Sequence, residues 1–266
     1  MRIHSIKIKG FRNLKGVDLS FEEGVPIHAF VGSNGQGKTN ILEAIYFLTT
    51  LRSFRTKNIH EIPRYGVDSF LLKAFVKTST LPCRIKAAYK SGKKNIFLND
   101  ESLTTMEKVI GFFPIVLVTN KNIDLVGQSP SVLRRFLDVQ LSQSIPEYLK
   151  TLMQYEKVLR FRNILIKSEN LSARRQLKVW TGKLIDLGVK IFEARIKAVK
   201  RLGIFARLNL KRISDEKEEL EVRYIPQVEG EDKKAIQMSY EKKLAESVAG
   251  IIESNFGYRT WLVKSL

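Results

Sequence analysis

Eight consecutive residues, Gly32 to Thr39, have the types and the spacing needed to hold a polyphosphate. They read GSNGQGKT and match the pattern G-x-x-x-x-G-K-[ST] at every fixed position. Glycines let the backbone wrap closely, so that several N–H groups converge on the phosphate oxygens. We expect Lys38 to reach the β- and γ-phosphates as a point charge, and the hydroxyl of Thr39 to ligate Mg²⁺. The sequence therefore predicts a nucleotide site at this phosphate loop (residues 32–39), in which Ser33 and Gln36 also take part.

The residues on either side of the phosphate loop predict the elements that position it. The run PIHAFVG (26–32) is short, mostly apolar and ends at a glycine, which predicts a buried strand that leads into a tight turn. From Asn40 to Thr50 the apolar residues follow helical spacing. The positive N-terminal end of that helix would favour bound phosphate. Because kinases, GTPases, pumps and DNA-handling ATPases share such a loop, the loop alone does not identify a reaction.

The remaining pattern predicts an α/β fold in which strands come first and helices follow. Two apolar stripes, Tyr148 to Leu159 and Leu177 to Phe205, predict two long helices packed as an antiparallel pair. We expect an ATPase lobe over residues 1–130, a basic helical lobe over 131–260 and an aberrant tail over 261–266. Further strands are predicted near residues 17–21, 70–98 with a turn at Asn99-Asp100, 113–118 and 220–225, and a further helix at 233–255.

Charge is the most informative feature of the composition. The 266 residues include 46 Lys or Arg and 27 Asp or Glu, which gives a net charge of +19 and favours polyanionic partners. No stretch approaches ~20 consecutive apolar residues, as a membrane span requires. The N-terminus lacks the apolar block of a signal peptide. Cys83 is the only cysteine, which fits a reducing compartment, so we expect a cytoplasmic protein.

The positive charge concentrates on the predicted helical pair. Residues 150–212 contain seventeen Lys or Arg and four Asp or Glu. A solvated helical face normally mixes the two signs, so this surplus predicts contact with the DNA backbone, although a purely solvated face stays open as the alternative. Phe161 and Trp180 are aromatic residues that could stack on bases, but they fall on or near the apolar stripes and are predicted to belong to the core. The candidate DNA-binding residues are Arg160, Arg162, Arg174, Arg175 and Lys178.

Several separate motifs in order resemble those of one protein family. The run IKGFRNLKGVDLSFEEG and the extended loop VGSNGQGKTNILEAIYFL resemble the N-terminus of the SMC/ABC-type ATPases that act on DNA. Three further segments, LRSFRT (51–56), VLVTNKNIDLVGQSPSVLRRFLD (116–138) and YEKVLRFRNILIK (155–167), narrow the resemblance to the RecF family of bacterial recombination mediators. In one departure, Thr119 is followed by Asn120-Lys121-Asn122, where the family usually has proline and an acidic residue.

The resemblance implies an ABC/SMC-type P-loop ATPase lobe with a mixed sheet, joined to a helical second domain. It implies binding of ATP and Mg²⁺, an ATP-dependent homodimer, and action on single-stranded DNA and single-strand/double-strand junctions. It further implies recombinase loading, a part in SOS induction, and RecO and RecR as partners. Residues that match the family's site are Asn34, Gly35, Gly37, Lys38, Thr39 and Asn40, with Arg12 at the position of a nucleotide-contacting arginine.

Two elements that ABC-type hydrolysis requires are missing from these 266 residues. One is a glycine-containing signature, which LSQSI (141–145) and LSARRQ (171–176) imitate without its glycine. The other is an apolar strand that ends in adjacent acids and holds Mg²⁺. The resemblance also stops after GYRT (257–260), which suggests a frameshift or truncation. We therefore expect ATP binding without hydrolysis, and an unpaired hydrophobic edge at Ile27–Val31.

Two other interpretations remain open at the level of sequence. In the first, the chain is half of another SMC/ABC-type DNA-maintenance ATPase that a second polypeptide completes. Alternatively it is a non-enzymatic DNA-binding module in which the phosphate loop is only a scaffold. The second of these predicts DNA binding that is indifferent to ATP, whereas the RecF-like interpretation predicts ATP dependence.

Overall fold

The computed structural model contains two compact units, Met1–Leu117 and Val118–Leu266. The division falls earlier in the chain than the predicted boundary at residue 130. The described residues are 2–77, 81–103, 109–119, 130–167, 171–224, 233–248 and 262–265, of which 130–131, 171–175, 233, 243, 245–248 and 262–265 are described by backbone alone.

Unit 1 is built on a six-stranded antiparallel sheet. Every pairing among its strands is antiparallel, and their order is β2-β1-β3-β4-β5-β6. Asn99 and Asp100 form the two-residue turn between the last two strands, with φ of 50° and 67°, as the sequence predicts. The strands are β1 (Arg2–Phe11), β2 (Leu14–Ser20), β3 (Ser69–Lys77), β4 (Cys83–Lys90), β5 (Lys93–Leu98) and β6 (Glu101–Ser102).

One helix covers this sheet and carries the residues that follow the phosphate loop. Helix α1 spans Lys38–Thr50, close to its predicted bounds. Its Ala44, Phe47 and Leu48 pack into the same core as the inward-facing residues of β1 and β3, such as Ile8 and Leu72. This packing fixes the start of α1, and with it the phosphate loop, against the end of β1. A 3₁₀ turn follows at Ile59–Glu61.

Two predicted buried strands are wrong for the described structure. Neither residues 26–32 nor residues 113–118 pair with any strand in the described part of the chain. Ile27 and Val31 are 80% and 92% exposed, and Val116 and Val118 are also exposed. A run that is apolar on both faces becomes a buried strand only where neighbouring strands and helices cover it. No described element supplies that cover.

Unit 2 is mainly helical, as predicted. Its elements are α2 (Pro130–Ser144), α3 (Pro146–Ile166), α4 (Leu171–Ile213), β7 (Leu220–Arg223), α5 (Lys233–Val248) and β8 (Leu262–Ser265). Strand β7 lies within the strand predicted at 220–225, and β7 pairs antiparallel with β8. The last part of the predicted helix 233–255 lies outside the described residues. No helix among the described residues is both long and apolar enough to cross a membrane.

Helices α3 and α4 run antiparallel along their length. Near one end Arg162 Nε donates to Thr181 Oγ1 at 3.1 Å, and near the other Arg195 Nε donates to the Tyr148 hydroxyl at 3.0 Å. As the residue number rises along α3, its partner's number falls along α4. Together with α5 they share a core that includes Val158, Leu184, Phe192, Ile236 and Tyr240.

A buried ionic cluster joins α2 to this pair. Arg195 Nη2 donates to Asp138 Oδ1 at 2.6 Å, and the Tyr148 hydroxyl donates to the same oxygen at 2.5 Å. Burial is the largest single influence on the pKa of Arg195 and would lower it, but the Asp138 carboxylate together with Tyr148 and Tyr224 raises it. Asp138 belongs to the VLRRFLD motif, so this part of the motif has a structural role in unit 2.

Candidate nucleotide-binding site

The phosphate loop is a candidate anion cradle, and glycines with a left-handed backbone conformation allow its tight turns. Gly35 and Gly37 have φ of 83° and 102°, a left-handed conformation that glycine adopts without a steric cost. A Cβ at Gly37 would lie 2.5 Å from Leu14 Cδ2 and 2.8 Å from Asn13 Oδ1, so only glycine fits there. Gly37 also begins α1, because its carbonyl accepts from the N–H groups of Asn40 and Ile41 at 2.9 and 3.0 Å.

The side chain of Lys38 folds back onto the phosphate loop. Its Nζ donates to the carbonyl oxygens of Gly32 and Ser33 at 2.6 and 2.7 Å. These contacts hold the ammonium group against the backbone of the phosphate loop. The N-terminus of α1 has no side-chain cap and no acidic residue in its first turn. The positive ammonium and the positive helix end therefore act together, and this donor set fits a polyphosphate.

The turn between β1 and β2 braces the phosphate loop from the side. Asn13 Nδ2 donates to the Gly35 carbonyl at 2.6 Å, and Asn40 Nδ2 donates to Asn13 Oδ1 at 2.7 Å. Arg55 Nη1 in turn donates to Asn40 Oδ1 at 2.7 Å. Asn13 is a site residue that sequence reasoning missed. The FRN element at residues 11–13, already recognised as part of the resemblance, was the signal that could have found it.

A buried carboxylate organises the arginines next to this brace. Glu43 of α1 is fully buried and accepts from Arg12 Nη2 at 2.6 Å and from Arg12 Nε at 3.1 Å. Ser53 Oγ donates to it at 2.5 Å, and Arg55 Nη1 lies 3.7 Å from Glu43 Oε2. The carboxylate thus ties α1 to the β1–β2 turn and to the LRSFRT segment. Sequence reasoning did not identify Glu43 as a site residue.

Arg12, the predicted nucleotide contact, is held by this network. Besides its two bonds to Glu43, its Nη1 donates to the Glu61 carbonyl at 2.7 Å. Its side chain is 16% exposed. The structure places Arg12 one residue from the loop-bracing Asn13, so it brings Arg12 and the residues from Gly32 to Asn40 into one connected group. A direct bond from Arg12 to nucleotide stays a prediction, as does the role of Thr39 as a metal ligand.

The predicted DNA-binding residues differ in their exposure to solvent. Arg160 and Lys178 are exposed on α3 and α4. Arg162 is a correction, because it is fully buried, with Nη2 donating to the Leu244 carbonyl at 2.9 Å. The side chains of Arg174 and Arg175 lie outside the described residues.

The predicted burial of one aromatic residue is also wrong. Phe161, expected to be buried, is 44% exposed, whereas Trp180 is partly buried against the core of unit 2.

Comparison with known proteins gives the chain its family. The family model for the AAA ATPase domain matches residues 1–263. The chain is 33% identical over 235 residues to the DNA replication and repair protein RecF of Leptospira interrogans serogroup Icterohaemorrhagiae serovar copenhageni, covering 87% of this chain and 64% of that protein. It is 32% identical over 249 residues to RecF of Clostridium novyi, covering 93% and 68% respectively.

A solved structure supports the same assignment for the fold. The structure of the recombination mediator protein RecF-ATP in the RecFOR pathway superposes with a TM-score of 0.86 at 28% identity, over 99% of this chain and 74% of that one. This match confirms the expected α/β fold class. The chain spans about two thirds of the length of the curated relatives it matches. From these relationships, the chain belongs to the RecF family of DNA replication and repair proteins.

Proposed function

We propose that this chain binds ATP with Mg²⁺ at the phosphate loop and acts on DNA in recombinational repair and replication maintenance. The observation that carries the proposal is the cradle itself, with Lys38 Nζ held 2.6 and 2.7 Å from two loop carbonyls and an uncapped helix N-terminus beside it. A polyphosphate supplies the negative charge that these donors lack. Thr39, exposed in the first turn of α1, would ligate the metal ion.

Its DNA substrates are single strands and single-strand/double-strand junctions. The seventeen basic residues between 150 and 212 support backbone contacts, and Arg160 and Lys178 lie exposed for that purpose. Recombinase loading, SOS induction and partnership with RecO and RecR follow from the family alone. A cytoplasmic location agrees with the single, unpaired Cys83.

The chain by itself binds ATP without turning it over. Its 266 residues include neither a glycine-containing signature nor an apolar strand ending in adjacent acids. ABC-type hydrolysis uses both, one to cap the γ-phosphate across a dimer and the other to polarise the attacking water. Multiple-turnover ATPase activity of the purified chain, lost in Lys38→Ala, would contradict this part of the proposal.

The experiment that tests the function is DNA binding with and without ATP. A labelled duplex with a single-stranded tail is titrated with the wild-type chain, with Lys38→Ala and with Lys57→Ala. Lys57 is exposed and outside the loop, so its removal changes the net charge equally. ATP should strengthen DNA binding by the wild type and by Lys57→Ala, but not by Lys38→Ala. Binding that is unaffected by ATP in all three would instead favour a non-enzymatic DNA-binding module.

A further inference from the structure

Phe161 of α3 and Trp180 of α4 form a stacked aromatic pair at the surface of unit 2. Their ring centroids are 5.3 Å apart and their planes differ by 18°. Trp180 packs against the core below it, whereas 44% of Phe161 is exposed. The pair therefore has a fixed inner ring and an accessible outer one. A half-exposed aromatic ring held flat on a partner is already ordered, so a ligand that stacks on it loses little further entropy.

The surroundings of this pair are strongly basic. Lys183 Nζ lies 5.7 Å from the centre of the Trp180 ring. Exposed Arg160 adjoins Phe161 in the chain, and exposed Lys178 lies two residues before Trp180. The described residues between 157 and 183 include no acidic residue, and five of their cations are exposed: Lys157, Arg160, Lys167, Lys178 and Lys183. A ligand that suits this surface is both anionic and aromatic.

We propose that the Phe161–Trp180 pair is a stacking platform for the unpaired bases of single-stranded DNA. The inference rests on the DNA-binding part of the proposed function and assigns a site to it. Every base offers a π-face, so stacking tolerates any sequence, while neighbouring cations bind the phosphates. In duplex DNA both faces of each base are already stacked within the helix. The platform therefore favours the single-stranded side of a junction over the duplex side.

A platform of this kind differs from purely electrostatic binding in its salt dependence. Phosphate contacts release counterions, so the slope of log affinity against log salt reports their number, at about 0.7 per contact for single strands. Stacking contributes affinity without changing that slope. Loss of Phe161 should lower the affinity at every salt concentration, whereas loss of Lys178 should also flatten the slope. The two kinds of contact can thus be separated on one protein.

The test measures binding of an oligo-dT and of a blunt duplex by the full chain, using Phe161→Ala, Phe161→Leu and Phe205→Ala. Phe205 is a matched control, since it is 60% exposed on α4, the basic helix that also carries Trp180, and stacks on no ring among the described residues. Phe161→Leu keeps an apolar contact on Trp180 but removes the π-face, so a fold defect does not explain its effect. Both Phe161 variants should bind oligo-dT about fivefold or more weakly, with the salt slope and duplex binding unchanged. Phe205→Ala should bind like the wild type.

Photocrosslinking locates the contact directly. An oligo-dT carrying one 5-iododeoxyuridine should crosslink to a peptide that contains Phe161 or Trp180. Equal affinity of the wild type and Phe161→Leu for oligo-dT would overturn the platform, and so would an equal loss of affinity in Phe205→Ala. If duplex DNA still binds in that case, the proposed DNA-binding function stands. Tighter binding of oligo-rU than of oligo-dT would overturn the assignment to DNA. Absence of binding to both oligo-dT and duplex would overturn the DNA-binding function together with the platform.

Discussion

At the scale of single residues, Glu43 links the parts of the candidate nucleotide site. Its carboxylate has no exposed surface and joins Arg12 of the β1–β2 turn to Ser53 and Arg55 of the LRSFRT segment, some forty residues along the chain. Two of these partners are cations, so the carboxylate reduces the repulsion between two positive charges that lie close together beside the phosphate loop. Its removal would affect both the free energy of unfolding and the placement of the loop.

We predict that Glu43→Gln lowers the free energy of unfolding by about 2–4 kcal/mol and weakens ATP binding. The amide group turns N–H donors toward the N–H donors of Arg12, and the buried charge of that arginine loses its partner. Urea denaturation and calorimetric titration with ATP measure the two effects. Glu23→Gln is the matched control, since Glu23 forms only an exposed pair with Lys77, and it should change stability by less than about 0.5 kcal/mol. Equal effects of the two variants would contradict the role of Glu43.

The sequence predicts the phosphate loop itself, but it does not predict the residues that hold the loop in place. Gly32 to Thr39 form a contiguous pattern whose chemistry depends on local spacing. The braces by Asn13 and Glu43 depend on contacts between residues that are distant in the chain, which spacing does not reveal. Arg162 was misassigned although its position was informative, because it follows Val158 by four residues and so shares the buried face of α3.

At the scale of elements, α3, α4 and α5 are held together around buried tyrosines. Tyr148 and Tyr240 are 3% and 1% exposed, and burial raises the pKa of both hydroxyls. The folded state therefore keeps their protons at a pH where the unfolded chain releases them. Stability is fully present below the ordinary tyrosine pKa of about 10 and falls as the pH rises above it.

We predict opposite effects for two Tyr→Phe substitutions at neutral pH. The Tyr240 hydroxyl has no hydrogen-bond partner among the described residues, so Tyr240→Phe should leave the stability unchanged or raise it by about 1 kcal/mol. The Tyr148 hydroxyl bonds with Asp138 and Arg195, so Tyr148→Phe should cost about 1–3 kcal/mol. Both variants should lose less stability than the wild type between pH 9 and 11. Thermal melts followed by circular dichroism across this range test the prediction, and an unchanged pH profile of Tyr240→Phe would contradict it.

Elements with strong local patterns are the ones that the sequence predicts. The amphipathic helices α1, α3 and α4 and the alternating strands β2 to β5 carry their own periodicity. The runs 26–32 and 113–118 carry only a continuous apolar composition, and whether such a run becomes a strand depends on what pairs with it. Ile27 and Val31 are exposed, but residues 26–32 form no strand, so the expected unpaired strand edge is wrong for the described structure.

At the scale of the whole molecule, unit 1 exposes apolar side chains in the run 26–32. Ile27 and Val31 are mostly exposed, and their chain neighbours His28 and Phe30 line a cleft of about 760 Å³ that has both charged and apolar walls. Exposed apolar side chains grouped in this way promote association. We predict that the isolated chain self-associates as its concentration rises, and that Ile27→Lys reduces this association without loss of ATP binding.

Sedimentation velocity at several concentrations measures this association. Tyr65→Lys is the control, because Tyr65 is a fully exposed residue of unit 1 that lies outside the run 26–32. It should associate like the wild type. If Ile27→Lys associated as strongly as Tyr65→Lys, the exposed apolar residues of the run 26–32 would not be the cause of the association.

The most direct test of the central claim is calorimetric titration of the 266-residue chain with ATP and Mg²⁺. The wild type and Lys57→Ala should each bind one ATP per chain with the same affinity. Lys38→Ala should bind about tenfold or more weakly, because it lacks the charge-assisted contact to the phosphates. Equal affinity in Lys38→Ala and the wild type would show that the phosphate loop does not hold the nucleotide and would contradict the account.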